Sequence, residues 1–287
     1  MKIAFFGDVH GCVLHALGAA VMLQRRRGLR LDAVVQVGDL GAFPSPDRMD
    51  ESSRRFAESD PAQGDLLRLL DPPPSLAAAV RRALEEIPAF HFVSGNHEDH
   101  DWLAAVHEAA GAPVVAPIDP LGAFRHVACG SVVQVAGRRM AFLGLIESES
   151  MDFDPDAYAA LLAAEPGSVD VLVTHDGPYA MSEYRGAVQG SAKMTRLIEH
   201  LQPRLHVSGH YHHENGPRHY GATTSYALSQ LVYPRFARDA TPLNPAQQVM
   251  PGSIGLLDTD TYAFEYIHDP WLAEVKGHPL NLADLLT

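Results

Sequence analysis

Residues 2–11, Lys2-Ile3-Ala4-Phe5-Phe6-Gly7-Asp8-Val9-His10-Gly11, join a short apolar run to a polar turn bounded by glycines. The apolar run predicts a buried strand, and the turn predicts a loop at the carboxyl end of that strand. Apolar residues at helical spacing follow from Val13 to Leu23, and three arginines at 25–27 precede Gly28. Cations in a last turn and a glycine after it are typical of a helix end. The opening therefore predicts a strand, a polar turn and a helix.

The same succession occurs twice more along the chain. An apolar run at Ala33–Val37 ends in Gly38-Asp39, and a run at Ala89–Val93 ends in Gly95-Asn96-His97. A helix is predicted from Leu76 to Glu86, before the third strand. Repeated strand, turn and helix units are typical of βαβ units around a buried, mainly parallel sheet.

The second half of the chain is richer in predicted strands. Runs at Arg125–Val135 and Arg138–Leu145, separated by Gly137, predict a hairpin or meander. The remaining predicted elements are strands at Asp170–Val173 and Leu205–Val207, a helix at Ser191–Leu201, and a closing hairpin of Ser253–Leu257 with Tyr262–Ile267. We expect one domain over residues 1–287, with an insertion or lid at 43–75, rich in charges, Ser and Pro, and a β-rich C-terminal extension at 214–287.

Composition excludes few classes of protein. The formal net charge of -13 disfavours sequence-blind nucleic-acid binding, which needs clustered Lys and Arg, although bound divalent cations would offset part of that charge. Only two cysteines are present, too few for a disulfide framework. No run approaches the ~20 apolar residues of a membrane-spanning helix. We therefore expect a cytoplasmic protein with no membrane partner, whose oligomeric state the sequence leaves open.

Five polar clusters follow predicted strands, where open α/β sheets place their functional sites. The clusters are Gly7-Asp8-Val9-His10-Gly11, Gly38-Asp39-Leu40, Gly95-Asn96-His97-Glu98, Thr174-His175-Asp176 and Gly209-His210-Tyr211-His212. Carboxylate, amide and imidazole groups are ligands for divalent zinc, manganese or iron, and the clusters lack the thiolates typical of structural zinc sites. This donor set favours an open, hydrolytic metal centre.

The spacing inside two clusters favours chelation. Asp8 with His10, and His210 with His212, are two residues apart. In an extended chain such residues project to the same side, so each pair can face one cavity.

The five clusters, in this order, resemble those of the calcineurin-like metallophosphoesterase superfamily, over residues 7 to 212. The resemblance implies an α/β fold, an αββα four-layer sandwich of two mixed central β-sheets flanked by helices. It implies that Asp8, His10 and His212 hold one metal ion, that Asn96, His175 and His210 hold a second, and that Asp39 bridges both. A bridging carboxylate also suits two cations ~3.5–4 Å apart. We expect manganese as the cofactor, with iron or zinc as alternatives.

The resemblance also implies a mechanism. Hydroxide activated by the two metals would attack phosphorus in line, and His97, outside the ligand set, would stabilise charge or protonate the leaving oxygen. The predicted activity is that of a metal-dependent phosphoester hydrolase, either a phosphodiesterase or a phosphatase. Its partner would be a phosphoester, including a nucleotide or nucleic acid.

Two departures bear on the substrate. Ser/Thr protein phosphatases of this superfamily continue the second motif as Gly-Asp-x-Val-Asp-Arg-Gly, whereas Gly38-Asp39 continues here as Leu40-Gly41-Ala42-Phe43. Residues 174–178, Thr-His-Asp-Gly-Pro, partly resemble the Ser-His-Asp-Trp-Pro of lariat-debranching enzymes, which have Cys in place of Asp8. These features favour a phosphodiester or a small nucleotide-like ester over a phosphoprotein.

Three other functions remain open from the sequence: a catalytically silent scaffold on the same fold, a phosphomonoesterase acting on small metabolites, and a two-metal hydrolase of another ester or amide.

Outside the ligand set, Asp176 and Tyr211 would orient ligands, and Glu98, Asp99 and Asp101 would form the acidic first turn of a helix. Two further sets of side chains have either a structural or a substrate-binding role. The first is three arginines that either lie on a solvated face or bind the substrate phosphate: Arg48, Arg54 and Arg55. The second is four tyrosines that either pack in the protein or stack on a base: Tyr179, Tyr184, Tyr226 and Tyr233.

Overall fold

Successive residues of the first strand, β1 (Lys2–Phe6), face opposite sides of a buried sheet. Ile3 and Phe5 pack into one hydrophobic cluster, whereas Ala4 and Phe6 pack into another. This alternation follows from the two-residue period of a strand, and it requires a packed layer on each face.

The computed structural model describes residues 1–148, 152–237, 241–277 and 279–287. After β1, its strands are β2 (Ala33–Gln36), β3 (Phe90–Phe92), β4 (Val115–Pro117), β5 (Phe124–Val127), β6 (Val132–Val135), β7 (Arg138–Leu143), β8 (Val171–Thr174), β9 (Ser182–Tyr184), β10 (Ala187–Gln189), β11 (Leu205–Ser208), β12 (Asn215–Tyr220), β13 (Thr223–Ala227), β14 (Ile254–Asp258) and β15 (Phe264–Tyr266). Its α-helices are α1 (Val13–Arg27), α2 (Glu51–Ser59), α3 (Asp65–Leu70), α4 (Pro74–Glu86), α5 (His100–Ala110), α6 (Pro155–Leu162), α7 (Ala192–Leu201) and α8 (Leu282–Leu285), with 3-10 turns at Pro46–Arg48, Pro61–Gly64 and Pro270–Glu274.

Two mixed sheets form the centre of the molecule. The seven-stranded sheet has the order β15-β14-β1-β2-β3-β5-β4, and the six-stranded sheet has the order β12-β13-β11-β8-β7-β6. The central pairs of both sheets are parallel, including β1 with β2, β2 with β3, and β8 with β11. Antiparallel strands close the edges, as β14 pairs with β1 and β6 pairs with β7.

Three hydrophobic clusters separate four layers. The cluster that contains Phe5 also contains Phe142 and Val173, so it joins the inner faces of the two sheets. A second cluster packs α1 and α4 on the outer face of the seven-stranded sheet, and a third packs α6 and α7 on the outer face of the six-stranded sheet. The expected αββα sandwich is therefore confirmed.

The topology brings the five polar clusters to one end of the molecule. Strands β1, β2 and β3 are parallel neighbours, so the turns that follow them share one edge of the seven-stranded sheet. Strands β8 and β11 are parallel neighbours in the facing sheet, and their turns share the corresponding edge.

Some predicted elements were wrong in detail. The run Arg125–Val135 is two strands in different sheets, because β5 pairs with β3 whereas β6 pairs with β7. The chain leaves the first sheet at a turn near Gly130, which has a φ of 79°. Helix α2, in the segment 43–75, was not predicted. Asp50 caps this helix by accepting a hydrogen bond from Ser53 N.

The C-terminal segment 214–287 adds strands to both sheets. It contributes β12 and β13 to the six-stranded sheet, and β14 and β15, the expected closing hairpin, to the seven-stranded sheet. Its division from the rest of the chain, like the insertion at 43–75, stays a prediction. Among the described residues, none of the helices combines the length and apolarity needed to cross a membrane.

Candidate metal centre

Four predicted ligands lie in turns with left-handed backbone. The φ angles are 45° for His10, 54° for Asp39, 70° for His210 and 60° for His212. Residues other than glycine adopt this region at a cost, and such strain concentrates at functional sites.

The first group of donors consists of Asp8, His10, Asp39 and His212, whose ligand atoms all lie within 4.8 Å of one another. His212 Nε2 lies 3.1 Å from Asp8 Oδ2 and 3.1 Å from His10 Nε2. His10 Nε2 lies 3.7 Å from Asp39 Oδ2. Both carboxylates are buried. Two carboxylates and two imidazoles at these distances form a donor set suited to a divalent cation.

The second group of donors lies on the other side of Asp39. His175 Nε2 lies 3.3 Å from Asp39 Oδ2 and 3.1 Å from Asn96 Oδ1. The rings of His175 and His210 are neighbours, with centroids 5.2 Å apart. One oxygen, Asp39 Oδ2, therefore faces an imidazole nitrogen of each group.

The tautomer of His175 indicates that the second group accepts a positive charge. His175 Nδ1 donates to the carbonyl oxygen of Val37, at 3.1 Å, so in a neutral ring Nε2 carries a lone pair. That lone pair would face the oxygens of Asp39 and Asn96. A proton or a cation between Nε2 and these oxygens would stabilise the arrangement. Burial alone lowers the pKa of His175, but the Asp39 carboxylate outweighs it and raises the pKa to about 10.

His10 and Asp8 of the first group are in the forms that bind metals. Burial lowers the pKa of His10 to about 4, against the opposing charge of Asp39, so the ring is neutral at pH 7. Burial disfavours an ionised Asp8, but His212 and His175 hold the pKa of Asp8 below its ordinary value. Neutral imidazole and ionised carboxylate are the ligating forms.

Two glycines allow the turns to approach the carboxylates closely. A Cβ atom on Gly95 would lie 2.2 Å from Asp39 Oδ1, and a Cβ atom on Gly209 would lie 2.1 Å from Asp8 Oδ1. Any larger residue at either position would displace a predicted ligand.

His97 lies outside both groups of donors and is held at two points. Its backbone N–H donates to Asp39 Oδ1 at 2.8 Å, and its Nδ1 lies 2.9 Å from Asp50 Oδ2. Burial lowers the pKa of His97, but the hydrogen bond to Asp50 and the charge of Asp39 raise it to about 9. His97 is therefore cationic at neutral pH.

A cavity of about 560 Å³ opens beside the first group, and His10, His97 and His212 form part of its wall. Tyr184 and Tyr233 line this cavity. The ring of Tyr226 instead stacks on Phe264, with centroids 4.2 Å apart, so this tyrosine packs between elements.

The sequence model of the calcineurin-like phosphoesterase family matches residues 1–214. The chain belongs to this family. No curated protein matches the chain in sequence.

Solved structures of this calcineurin-like fold agree with the family match. The Thermus thermophilus protein TT1561 is 17% identical, with a TM-score of 0.50, over 93% of this chain and 97% of that one. GAP50, the anchor in the inner membrane complex of Plasmodium, is 14% identical, with a TM-score of 0.50, over 93% of this chain and 84% of that one. At these identities the likeness shows the fold alone. Together, the family and the cluster of Asp8, His10, Asp39 and His212 support a metal-dependent phosphoesterase.

Two residues of this phosphoesterase site, Asp50 and Glu98, were not predicted as site residues. Asp50 caps α2 and contacts His97, which is 47 residues away in sequence. Glu98 was expected in a helix's first turn, but its carboxylate accepts hydrogen bonds from Gly95 N and Gly41 N and so joins two site turns. The cap of α5 is Asp99 and its first turn holds Asp101. A capping aspartate before a polar helix was the only signal for Asp50.

The other singled-out side chains have defined contacts. Tyr211 Oη donates to Asp176 Oδ1, a carboxylate that also accepts from Glu147 N, so this pair links the turns after β8 and β11. Arg48 binds the Asp99 carboxylate with two nitrogens. Arg54 donates to backbone carbonyls, and Arg55 lies over the ring of Phe56.

Proposed function

We propose that the protein hydrolyses phosphodiesters or small nucleotide-like phosphoesters with two divalent cations held by seven side chains. The observation that carries the proposal is the position of Asp39 Oδ2, 3.7 Å from His10 Nε2 and 3.3 Å from His175 Nε2. A carboxylate between two donor groups suits a dinuclear centre.

The proposed ligands divide between the two groups. Asp8, His10 and His212 would hold one cation, and Asn96, His175 and His210 the other, with Asp39 shared. We propose manganese, with iron or zinc as alternatives, because oxygen and imidazole donors accept all three. When bound, such cations make water more acidic and withdraw charge from a phosphoryl group.

His97 would act on the leaving group. His97 Nδ1–H donates a hydrogen bond to the Asp50 carboxylate, which leaves Nε2–H of the cationic ring to donate to the leaving oxygen or to stabilise its charge. The hydrogen bond from His97 N to Asp39 Oδ1 holds this residue beside the donor groups.

The arginines of the segment 43–75 support a small substrate. Arg48 pairs with Asp99, and neither it nor Arg54 or Arg55 is part of the described wall of the 560 Å³ cavity. Together with the absence of the phosphatase-type arginine after Gly38-Asp39, this arrangement supports an ester other than a phosphoprotein.

The first test compares a generic aryl phosphodiester with the matching monoester, using metal-free protein reconstituted with manganese. We expect manganese-dependent turnover of the diester and a loss of roughly 10²-fold or more in His97→Ala. His219→Ala, at an exposed histidine, is the matched control and should retain full activity.

Three outcomes would count against this proposal. Preferred turnover of the aryl monoester would contradict the phosphodiester assignment and favour a phosphomonoesterase acting on small metabolites. Two bound metal ions with no turnover of either ester would favour a scaffold. Equal activity of His97→Ala and the control would remove His97 from the mechanism.

A further inference from the structure

The cavity beside the first donor group has an aromatic wall. Phe56, Tyr184, Tyr233, Phe236 and Leu243 line it, together with His10, His97 and His212. A volume of about 560 Å³ is within the usual range for a small-molecule site. Phosphate needs no such wall, so the cavity has room and apolar surface for another part of a ligand.

Three of these apolar side chains face solvent at the rim. The exposed fraction is 56% for Tyr184, 43% for Phe236 and 50% for Leu243. Large apolar groups grouped at the mouth of a cleft lose water contact when a ligand binds, and such patches mark binding sites.

The wall comes from segments that flank the metal-binding turns. Phe56 belongs to α2, in the segment 43–75, and Tyr233, Phe236 and Leu243 follow residue 214, where the family match ends. The cavity thus combines donor groups from the family-matched turns with side chains from segments both inside and beyond the family-matched residues.

Side-chain amides also line the cavity. Gln63 and Gln230 line the cavity and are 8% and 4% exposed. Gln230 Nε2 donates to Val232 O, which leaves its oxygen able to accept. Side-chain amides offer both donors and acceptors, which suits the polar edge of a planar base.

We propose that this cavity binds a planar, uncharged aromatic ring of the substrate, specifically the base of a nucleoside phosphoester, and so selects the substrate. The inference rests on the proposed hydrolysis, since it places the ring next to His97 and the phosphoryl group at the donor groups. The aromatic rings stack on the base, and stacking tolerates different bases because every base has a π face.

Binding to the manganese-loaded protein tests this inference without turnover. Calorimetry would compare three phosphonates, which have carbon in place of the ester oxygen and are not hydrolysed: the analogues of adenosine monophosphate and of ribose 5-phosphate, and benzylphosphonate. We expect the adenosine analogue to bind at least about tenfold more tightly than the ribose analogue, the effect of stacking one base.

Two rim variants and a matched control locate the effect. Tyr184→Ala and Phe236→Ala should each lose most of the preference for the adenosine analogue. Tyr179→Ala should keep it, because Tyr179 is similarly exposed, at 55%, but lies outside the described cavity wall. Inorganic phosphate, which has no ring, should bind all four proteins alike.

The outcomes separate this inference from the proposed function. Equal binding of the three phosphonates, or a preference that both rim variants retain, would overturn the inference even if the aryl diester is hydrolysed. Tight binding of benzylphosphonate alone would replace the base with a simple aryl ring, contradicting the nucleoside assignment. Ring-dependent binding without any hydrolysis would support the cavity and contradict the proposed function.

Discussion

At the scale of single residues, Asp50 controls the charge of His97. The structure places the Asp50 carboxylate 2.9 Å from His97 Nδ1; burial lowers the pKa of His97, but this hydrogen bond, together with the charges of Asp39 and Glu98, raises it to about 9. A raised pKa keeps the ring cationic through neutral pH and neutralises it as the pH rises through about 9. Activity that depends on the cation should therefore fall on the alkaline side.

Replacing the Asp50 carboxylate should lower the pH at which activity falls on the alkaline side. In Asp50→Asn we expect the midpoint to shift from about 9 toward 6.5, the ordinary value for histidine, so that activity at pH 8 falls roughly tenfold or more. Asn remains a good helix cap, so α2 should persist. The pH–rate profile is the measurement, and Asp47→Asn is the control in the same segment. An unchanged alkaline limb would show that Asp50 does not set the charge of His97.

Gly95 tests how closely the turns must approach Asp39. A Cβ atom there would lie 2.2 Å from Asp39 Oδ1, so Gly95→Ala should displace the shared ligand and destabilise the fold by about 1–3 kcal/mol. Manganese affinity and thermal unfolding in chelator report the two effects. Gly64→Ala is the control, since its φ is -95° and, apart from its chain neighbours, no atom of the described residues lies within 4 Å of its Cβ position. Equal affinities in the two variants would contradict the steric argument.

At the scale of elements, helix α3 carries a buried carboxylate. Asp65 accepts a hydrogen bond from Arg68, but its Oδ2 has no partner in the described part of the chain. Burial raises the pKa of Asp65 to about 7, above the ordinary 3.8. Between these values the folded state keeps a proton that the unfolded state has lost, so this group's contribution to stability falls as the pH rises.

Asp65→Asn should remove that dependence. We expect the free energy of unfolding, measured in denaturant from pH 4 to 8, to fall less steeply in the variant than in the wild type. Asp71→Asn, at an exposed position just after α3, should leave the slope unchanged. Parallel slopes for wild type and Asp65→Asn would mean that this carboxyl is ionised in the folded protein.

At the scale of the whole molecule, the contact between the two sheets aligns the donor groups. Asp8, Asp39 and Asn96 follow strands of one sheet, whereas His175 and His210 follow strands of the other. Their distances therefore depend on the inter-sheet core, to which the buried Phe5 belongs.

Phe5→Ala should weaken both the fold and the site. Removing this ring should cost about 3–5 kcal/mol of stability and reduce manganese affinity, because the sheets relax around the cavity. Denaturant unfolding and metal titration are the measurements. Val132→Ala, at a position 44% exposed on β6, should change neither. Loss of stability with unaltered manganese affinity would mean that each sheet positions its ligands independently.

The sequence by itself predicted the strands β1, β2, β3, β8 and β11 and the polar turns that follow them, whereas β4, β9, β10, β12 and β13 were not predicted. These signals are local, since an apolar run followed by glycine and a polar residue predicts a strand and its loop without knowledge of distant contacts. The family resemblance implied the αββα layering, which local patterns do not encode, and the seven proposed ligands, which stay a prediction.

Tertiary structure alone decided the contacts between residues distant in sequence. The Asp50–His97 pair spans 47 residues, and the cavity wall joins Phe56 to Tyr184 and Phe236. The run Arg125–Val135 divides between two sheets because its two halves find different partners, β3 and β7. Such pairings depend on burial and geometry summed over the folded chain, so no local pattern of residues predicts them.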